Sequence, residues 1–355
     1  MDKMEINNFY HDKKIFITGH TGFKGSWLCT VLTMLGAKVK GYALPPSTAP
    51  NLFNMLDLDI ESIIGDIRDL EKLEGAVSAF QPDIVIHLAA QPIVLVSYKQ
   101  PVYTYDVNVM GTVHILEAVR NCTSVRSFLN VTTDKVYRNN EWEWGYRETD
   151  ALDGYDPYSN SKSCSELITA SYRRAFFADR DVAVSTARAG NVIGGGDYSP
   201  DRIIPDCVRS AEAKKEIVVR NPLSIRPYQH VLEPIFAYLL ITQKQYENRT
   251  CYEGNYNVGP NETDCVTTEK LVEYFCAAWG DGAHWAAANN IQAQHEANYL
   301  KLDHSRIGML LDWHPKWDIE EAVKRTVEFS KVKISGGDVS SCMREQIEAY
   351  MEATV

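Results

Sequence analysis

The sequence predicts an α/β molecule, a doubly wound parallel sheet joined to a second, smaller mixed α/β lobe, and three observations predict it. Short apolar runs alternate with helical stretches through the first 190 or so residues, a spacing that implies parallel strands with helices on both faces. The first of those runs enters a helix through three glycines, Gly19, Gly22 and Gly25. Past residue 190 the alternation loosens into loops, short strands and separate helices. The large lobe is expected over residues 1–190 with 229–257, and the smaller over 191–228 with 258–355.

Lys14 to Thr18 (K-I-F-I-T) reads as a buried strand, and after the glycine turn S-W-L-C-T-V-L-T-M-L reads as a helix closed by Gly36. Ala37 to Tyr42 and Ser62 to Ile67 read as strands, Leu70 to Phe80 as a helix and Asp83 to Leu88 as a strand. Thr104 to Asn121 is a long helix and Val125 to Val131 a further strand. Pro157, tolerated in a first turn, opens a second long helix through Phe177, and Asp181 to Arg188 is the next strand. A-G-N-V-I-G-G-G-D and Gly254 to Asn261 read as loops. Helices are expected near 202–213, 267–279 and 319–330.

With 45% hydrophobic and 23% charged residues over 355 positions, a sizeable globular core is expected. A formal net charge of -11 argues against nucleic acid or an anionic membrane as partner, since both need a basic footprint. Local arginine clusters still permit a phosphorylated ligand. The most apolar stretch, Ile84 to Val96, is broken by His87, Gln91 and Pro92 and is shorter than the roughly 20 residues of a spanning helix. The opening M-D-K-M-E-I-N-N-F-Y lacks the apolar segment of a signal peptide. Eight cysteines without a C-x-x-C pair read as free thiols in a reducing cytosol, so a cytoplasmic location is expected. The histidines show no metal-ligand spacing.

A strand, G-x-x-G-x-x-G and a helix bring backbone N–H groups to a pyrophosphate at the helix N-terminus, so a Rossmann-type dinucleotide site is expected. The acidic residue usual about 20 positions on, at the end of the second strand, is replaced by Leu44-Pro45-Pro46. No basic cluster stands in to welcome a 2′-phosphate, so NAD, loosely held, is expected over NADP. Downstream, Tyr158-x-x-x-Lys162 sets a phenol and an ammonium one turn apart on a helix face. The adjacent cation favours the phenolate and makes Tyr158 a candidate proton acceptor. Thr133-Asp134-Lys135 adds a hydroxyl, a carboxylate and an amine in consecutive positions. Oxidising a hydroxyl needs only the tyrosine–lysine pair; the added acid and base point to a second step such as expelling water.

The glycine spacing together with Tyr-x-x-x-Lys resembles the extended short-chain dehydrogenase/reductase family. G-H-T-G-F-K-G-S-W-L, T-D-K-V-Y, E-W-E-W-G-Y-R-E, G-Y-D-P-Y-S-N-S-K, R-A-G-N-V-I-G-G-G-D, I-R-P-Y-Q-H-V-L-E-P and Y-L-K-L-D together resemble the CDP-glucose 4,6-dehydratases within it. The match runs over roughly Lys14 to Trp317, and the tryptophan-rich insert and R-P-Y-Q-H-V are its most specific parts. The resemblance implies a cofactor site at Gly19, Thr21, Gly22, Phe23, Lys24, Gly25, Asp66, Ile67, Leu88, Ala89, Ala90, Gln91, Asn108, Thr132, Tyr158 and Lys162. It also implies a reaction cycle. Tyr158 takes the proton of the sugar 4-hydroxyl as hydride leaves C4 for NAD⁺, the ketone acidifies C5–H, water leaves from C6, and the hydride returns to C6. Thr133 then holds the 4-oxygen, Lys162 fixes the nicotinamide ribose and lowers the Tyr158 pKa, and Asp134 is the acid that helps water leave. Lys135 stands where related dehydratases carry a glutamate base. It serves as the C5 base only if its pKa is depressed by desolvation and nearby positive charge; the alternative is that it hydrogen-bonds the hexose.

For the substrate, CDP-glucose or a related nucleotide sugar, the candidates are Asn191, Arg220 and Arg226 on the pyrophosphate, where an arginine fork matches two oxygens. His295, Glu296 and Tyr299 lie where members of the family close over the sugar. Trp142, Trp144 and Tyr146 alternate as on a half-buried strand, fitting either core packing or stacking on the nucleotide. The two long helices are apolar around most of their circumference, which fits a homodimer, or a dimer of dimers, joined by a four-helix bundle. The expected activity is thus a hydro-lyase of deoxysugar and polysaccharide (O-antigen) biosynthesis. A nucleotide-sugar 4-epimerase would need only Thr133, Tyr158, Lys162 and NAD, and the Asp134–Lys135 pair separates the two. A non-catalytic nucleotide-binding protein would not need the intact Thr133/Tyr158/Lys162 set.

Overall fold

The structure, a computed structural model, describes residues 3–288 and 299–354. After a short helix α1 (Lys3–Tyr10), the chain alternates β1 (Lys14–Thr18), α2 (Phe23–Met34), β2 (Lys38–Ala43), β3 (Glu61–Ile64), α3 (Leu70–Phe80) and β4 (Ile84–His87). It continues through α4 (Val94–Lys99), α5 (Pro101–Tyr105), α6 (Gly111–Arg120), β5 (Ser127–Val131), α7 (Pro157–Phe176) and β6 (Ala183–Ala189). The later elements are β7 (Val192–Ile193), α8 (Ile203–Glu212), β8 (Ile217–Val219), β9 (Gln229–His230), α9 (Leu232–Glu247), α10 (Arg249–Tyr252), β10 (Asn255–Val258) and α11 (Thr268–Trp279). β11 (Trp285–Ala287), α12 (Ser305–Leu311), α13 (Ile319–Ile334) and α14 (Val339–Glu352) complete them.

Seven strands form one sheet in the order β10-β6-β5-β4-β1-β2-β3, and every pairing is parallel. The chain reverses direction across the sheet between β1 and β4, which opens the crevice where doubly wound sheets bind ligands. Alternate residues of each central strand enter opposite cores. Ile15, Ile17, Ile84, Ile86, Leu129 and Val131 pack on one face with α2, α9, α12 and α14; Phe16, Val85 and Phe128 pack on the other with α3 and α6. A parallel strand covered on both faces carries apolar side chains at odd and even positions alike, which is why these segments read as continuous apolar runs.

Gly254 to Asn261, expected as a loop, supplies the edge strand β10. Its N-Y-N-V composition hides the pattern: Tyr256 and Val258 are buried apolar residues, and Asn257 is buried by donating to the carbonyls of Tyr146 and Asp303. The long helix expected from Thr104 begins at Pro101 and contains a π turn at Asp106–Met110. Helix α9 has apolar residues on all sides and no polar stripe, so it offers no amphipathic period to read. It is buried along most of its length.

A third core, from Ile193, Ile204, Ile217, Val219, Leu271, Phe275 and Val323, unites β7, α8, β8, α11 and α13 into a smaller lobe. The span 258–355, expected wholly in that lobe, is divided. Ile307, Leu311, Trp313, Met343, Ile347 and Tyr350 pack into the first core beside α9, because these C-terminal helices carry the apolar residues that cover it.

Candidate active site

A cavity of about 1700 Å³ runs along the C-terminal ends of the strands, between the sheet and the smaller lobe. Its floor begins at the glycine turn. Gly19 has a φ of 80°, and a Cβ there would come within 2.8 Å of the Ala89 nitrogen; a Cβ on Gly25 would lie 2.2 Å from the Gly19 carbonyl oxygen. These contacts fold the turn tightly against the strand ends. Gly22 caps α2 without any side-chain hydrogen bond, which leaves first-turn N–H groups and the positive helix end for an anion. Gly19, Thr21, Gly22, Phe23, Lys24 and Gly25 all line the cavity, and so do Asp66, Ile67, Leu88, Ala89, Ala90 and Gln91. That donor set fits a dinucleotide diphosphate.

The adenosine end carries no acid at the tip of β2. Leu44, Pro45, Ser47 and Thr48 form the wall, and the Thr21 hydroxyl donates to the Leu44 carbonyl at 2.8 Å. Asp66 is ion-paired with Arg68 at 2.7 Å, whose hydrogen bonds hold its carboxyl below the usual range. Asn108, expected to contact the cofactor, stands one layer back. Its Oδ1 accepts from the Gln91 backbone at 2.8 Å and its Nδ2 donates to Ser161 at 2.9 Å, so it ties the loop after β4 to α7 instead of lining the cavity.

Asp156 caps α7 by accepting from the Ser159 N–H, with Pro157 in the first turn. Tyr158 and Lys162 then face the cavity together with Thr132, Thr133 and Lys135 from the turn after β5. Lys162 donates to the Val131 carbonyl at 3.2 Å, and burial lowers its pKa to about 8 against the upward pull of Glu166. Burial pushes Tyr158 up to about 12, opposed by a hydrogen bond to Thr133. Arg202 is a further cation that draws it back. Asp134 does not itself line the cavity. Its Oδ1 accepts from the Thr133 hydroxyl at 2.9 Å and from Lys135 at 3.3 Å, and these two bonds hold it behind them. Its Oδ2 is buried without a hydrogen-bond partner. Lys135 also donates to Asn191 Oδ1 at 3.2 Å, so it is ion-paired and bridges the two lobes.

On the substrate side Asn191, Arg220 and Arg226 all reach the cavity. Arg226 is 3% exposed, while Arg220 is half-exposed and 4.0 Å from Asp201. Tyr299 is not in the cavity wall. Its hydroxyl donates to the Glu143 carbonyl at 3.4 Å and its backbone pairs with Ile225, so it braces the tryptophan-rich insert. His295 and Glu296 lie outside the described residues. Trp142 and Tyr146 stack at 5.3 Å, Tyr146 and Tyr137 at 5.2 Å. These rings form a small core of their own; Tyr137 also lines the cavity, Trp142 and Tyr146 do not, and Trp144 is 65% exposed.

Two functional groups escaped the sequence reading. Arg202 enters the cavity paired with the buried Asp197 at 3.3 Å; D-Y-S-P-D-R carries no period or motif that marks it. Glu166 lies one turn beyond Lys162 on the same helix face, a spacing that would have revealed it. It accepts from Thr132 at 2.5 Å, from Thr186 at 2.8 Å and from Arg188 at 2.9 Å, fixing the strand ends behind the catalytic turn.

The model of the GDP-mannose 4,6 dehydratase family matches residues 16–326. The chain is 48% identical over 354 residues to the CDP-glucose 4,6-dehydratase of Salmonella typhimurium, covering 98% of each chain. Among solved structures, the dTDP-glucose 4,6-dehydratase of Bacillus anthracis in complex with NAD superposes with a TM-score of 0.76 at 21% identity, covering 92% of this chain and 99% of that one. The UDP-glucose 4-epimerase of Thermotoga maritima with UDP-glucose gives 0.78 at 21% identity, over 90% and 99%; likeness at that level establishes the fold.

Proposed function

As the chain belongs to the GDP-mannose 4,6 dehydratase family, we propose that it converts CDP-D-glucose to CDP-4-dehydro-6-deoxy-D-glucose, with NAD as a cofactor regenerated in every turnover. The observation that carries this reading is one cavity wall bearing Thr133, Lys135, Tyr158 and Lys162 with Asp134 bonded behind it, in a chain 48% identical to a CDP-glucose 4,6-dehydratase. NAD, held by the Gly19–Gly25 turn and the strand ends, supplies a hydride acceptor at C4 and the same hydride for C6.

Everything else falls to side chains. Tyr158 removes the proton of the 4-hydroxyl, and Thr133 donates to the oxygen left on C4. The new carbonyl acidifies C5–H. The Asp134–Lys135 pair handles the two protons of the elimination: one is removed from C5, and one is delivered to the C6 hydroxyl, which leaves as water. Proton return to C5 leaves the pair one proton short, and the proton that Tyr158 took from the 4-hydroxyl restores it through Thr133, whose hydroxyl is bonded to Asp134. Asn191, Arg202, Arg220 and Arg226 receive the substrate diphosphate, for which arginine forks are suited. We further propose a cytoplasmic homodimer that supplies deoxysugars for polysaccharide such as O-antigen. Exposed Val102, Tyr105, Met110, Leu167 and Phe176 on α5, the π turn and α7 support the helix-bundle contact, and among the described residues no helix is long and apolar enough to cross a membrane.

Incubation with CDP-, UDP-, dTDP- and GDP-glucose plus NAD⁺, read by mass spectrometry, tests substrate choice. CDP-glucose is expected to lose one water fastest. Faster loss from another nucleotide would overturn the assignment of the base.

A further inference from the structure

Lys24 stands in the first turn of α2, so its backbone belongs to the anion-binding turn. Its side chain serves a different end of the cavity. The amine donates to the Tyr238 hydroxyl at 3.2 Å and lies 5.6 Å from the centre of that ring. Tyr238 is wholly buried in α9, which fixes the position of the amine. Among the described residues no carboxylate is ion-paired with Lys24. Its cationic neighbours differ: Arg202 is paired with Asp197, Lys135 with Asp134, and Lys162 donates to the Val131 carbonyl.

The charged groups facing Lys24 come from three elements. Lys162 on α7 and Arg202 before α8 repel its ammonium, and Asp134 in the turn after β5 attracts it. Burial, the largest influence, joins the two cations and lowers its pKa to about 7. From α9 it meets only the neutral Tyr238, and the Tyr158 phenol, near enough to act on Tyr238, stays protonated at neutral pH.

We propose that Lys24 senses the redox state of the bound nicotinamide: its unpaired ammonium repels the positively charged oxidised ring and tolerates the neutral reduced one. The inference rests on the NAD reading above. A ring exchanging hydride with the carbon that Tyr158 serves has to lie beside Tyr158, in the same pocket as this amine. The diphosphate and both riboses are common to the two redox states, so only the ring charge distinguishes them. Like charges that share one cleft with little water between them repel, and Lys24 and Tyr158 line the same cavity. A protonated Lys24 thereby weakens NAD⁺ binding and favours oxidation at C4, and a neutral Lys24 does neither.

Calorimetric titration of the purified full chain with NAD⁺, NADH and ADP-ribose tests this, on wild type, Lys24→Met and Lys24→Arg at about pH 6 and pH 9. At the lower pH, the ratio Kd(NAD⁺)/Kd(NADH) is expected to be roughly tenfold higher in wild type than in Lys24→Met. At the higher pH, where Lys24 is neutral, those two ratios converge, while Lys24→Arg keeps the high ratio. Lys162, with a pKa of about 8, is charged in all three proteins at pH 6, so the comparison at that pH reads Lys24. Equal ratios at pH 6, or a parallel loss of NAD⁺, NADH and ADP-ribose in Lys24→Met as for a diphosphate clamp, overturn the proposal. Failure of wild type to bind either dinucleotide would overturn the NAD reading along with it.

Discussion

A phenol accepts a proton near neutral pH only when its surroundings stabilise the anion, and Tyr158 begins from the wrong side. Burial pushes it up to about 12, with Thr133 and Arg202 drawing it back. The rate of C4 oxidation should therefore rise with pH across the neutral range, as the deprotonated form grows. Tyr158→Phe is expected to abolish that step, since no other group in the motif can take the proton there. Asp134→Asn should leave C4 oxidation intact and slow water loss by roughly 10²–10⁴-fold, the usual worth of a positioned acid or base. In a single turnover the Asp134 variant should show enzyme-bound NADH with little product. Lys135→Met should behave similarly and slow deuterium exchange at C5. An Asp134 variant that forms no NADH would show that the division of labour is wrong, and normal C5 exchange in Lys135→Met would make Lys135 a binding residue. Residue identities at this site were legible because Tyr-x-x-x-Lys and Thr-Asp-Lys are short and contiguous. The burial of Asp134 behind its neighbours was not, since it depends on hydrogen bonds that a linear pattern does not record.

Elements were legible where their periodicity was simple. The buried strands and Leu70–Phe80 stand out by apolar content, whereas β10 is masked by two asparagines and α9 by having no polar face. Helix α9 shows what such a segment does. Its Glu233 accepts from the Lys316 and Trp317 backbone N–H groups at 3.0 and 2.8 Å and from the Tyr350 hydroxyl at 2.6 Å. One buried carboxyl thus joins α9, the turn before α13, and α14. Burial outweighs those donors and raises its pKa from 4.5 to about 7. A folded-state pKa above the unfolded value means that the folded protein binds this proton more tightly. The stability it contributes is complete below pH 4.5 and drains away as pH rises through about 7. Glu233→Gln keeps an oxygen for both backbone donors, so the melting temperature should lose that part of its decline across the window. Glu233→Ala strands three donors and should cost on the order of 3 kcal/mol. A Gln variant with an unchanged pH slope in thermal denaturation would refute the linkage.

Across the whole molecule, a chain of net charge -11 gathers Lys24, Lys135, Lys162, Arg202, Arg220 and Arg226 around one cavity. Bulk charge does not hide an anionic small substrate, because recognition depends on the local field. The loosening of the strand–helix alternation past residue 190 was legible in the sequence. The return of the C-terminal helices to the first core was not, since amphipathic helices such as α12 and α14 carry no mark of which apolar surface they will cover. The central claim concerns the cavity as a unit: one site oxidises, eliminates and reduces without exchanging its cofactor. CDP-glucose deuterated at C4, incubated with catalytic amounts of enzyme and NAD⁺, tests it most directly. The account predicts a product lighter by one water with the deuterium recovered at C6 and no accumulation of NADH. Deuterium lost to NADH in proportion to product, or a product of unchanged mass as an epimerase would give, would contradict it.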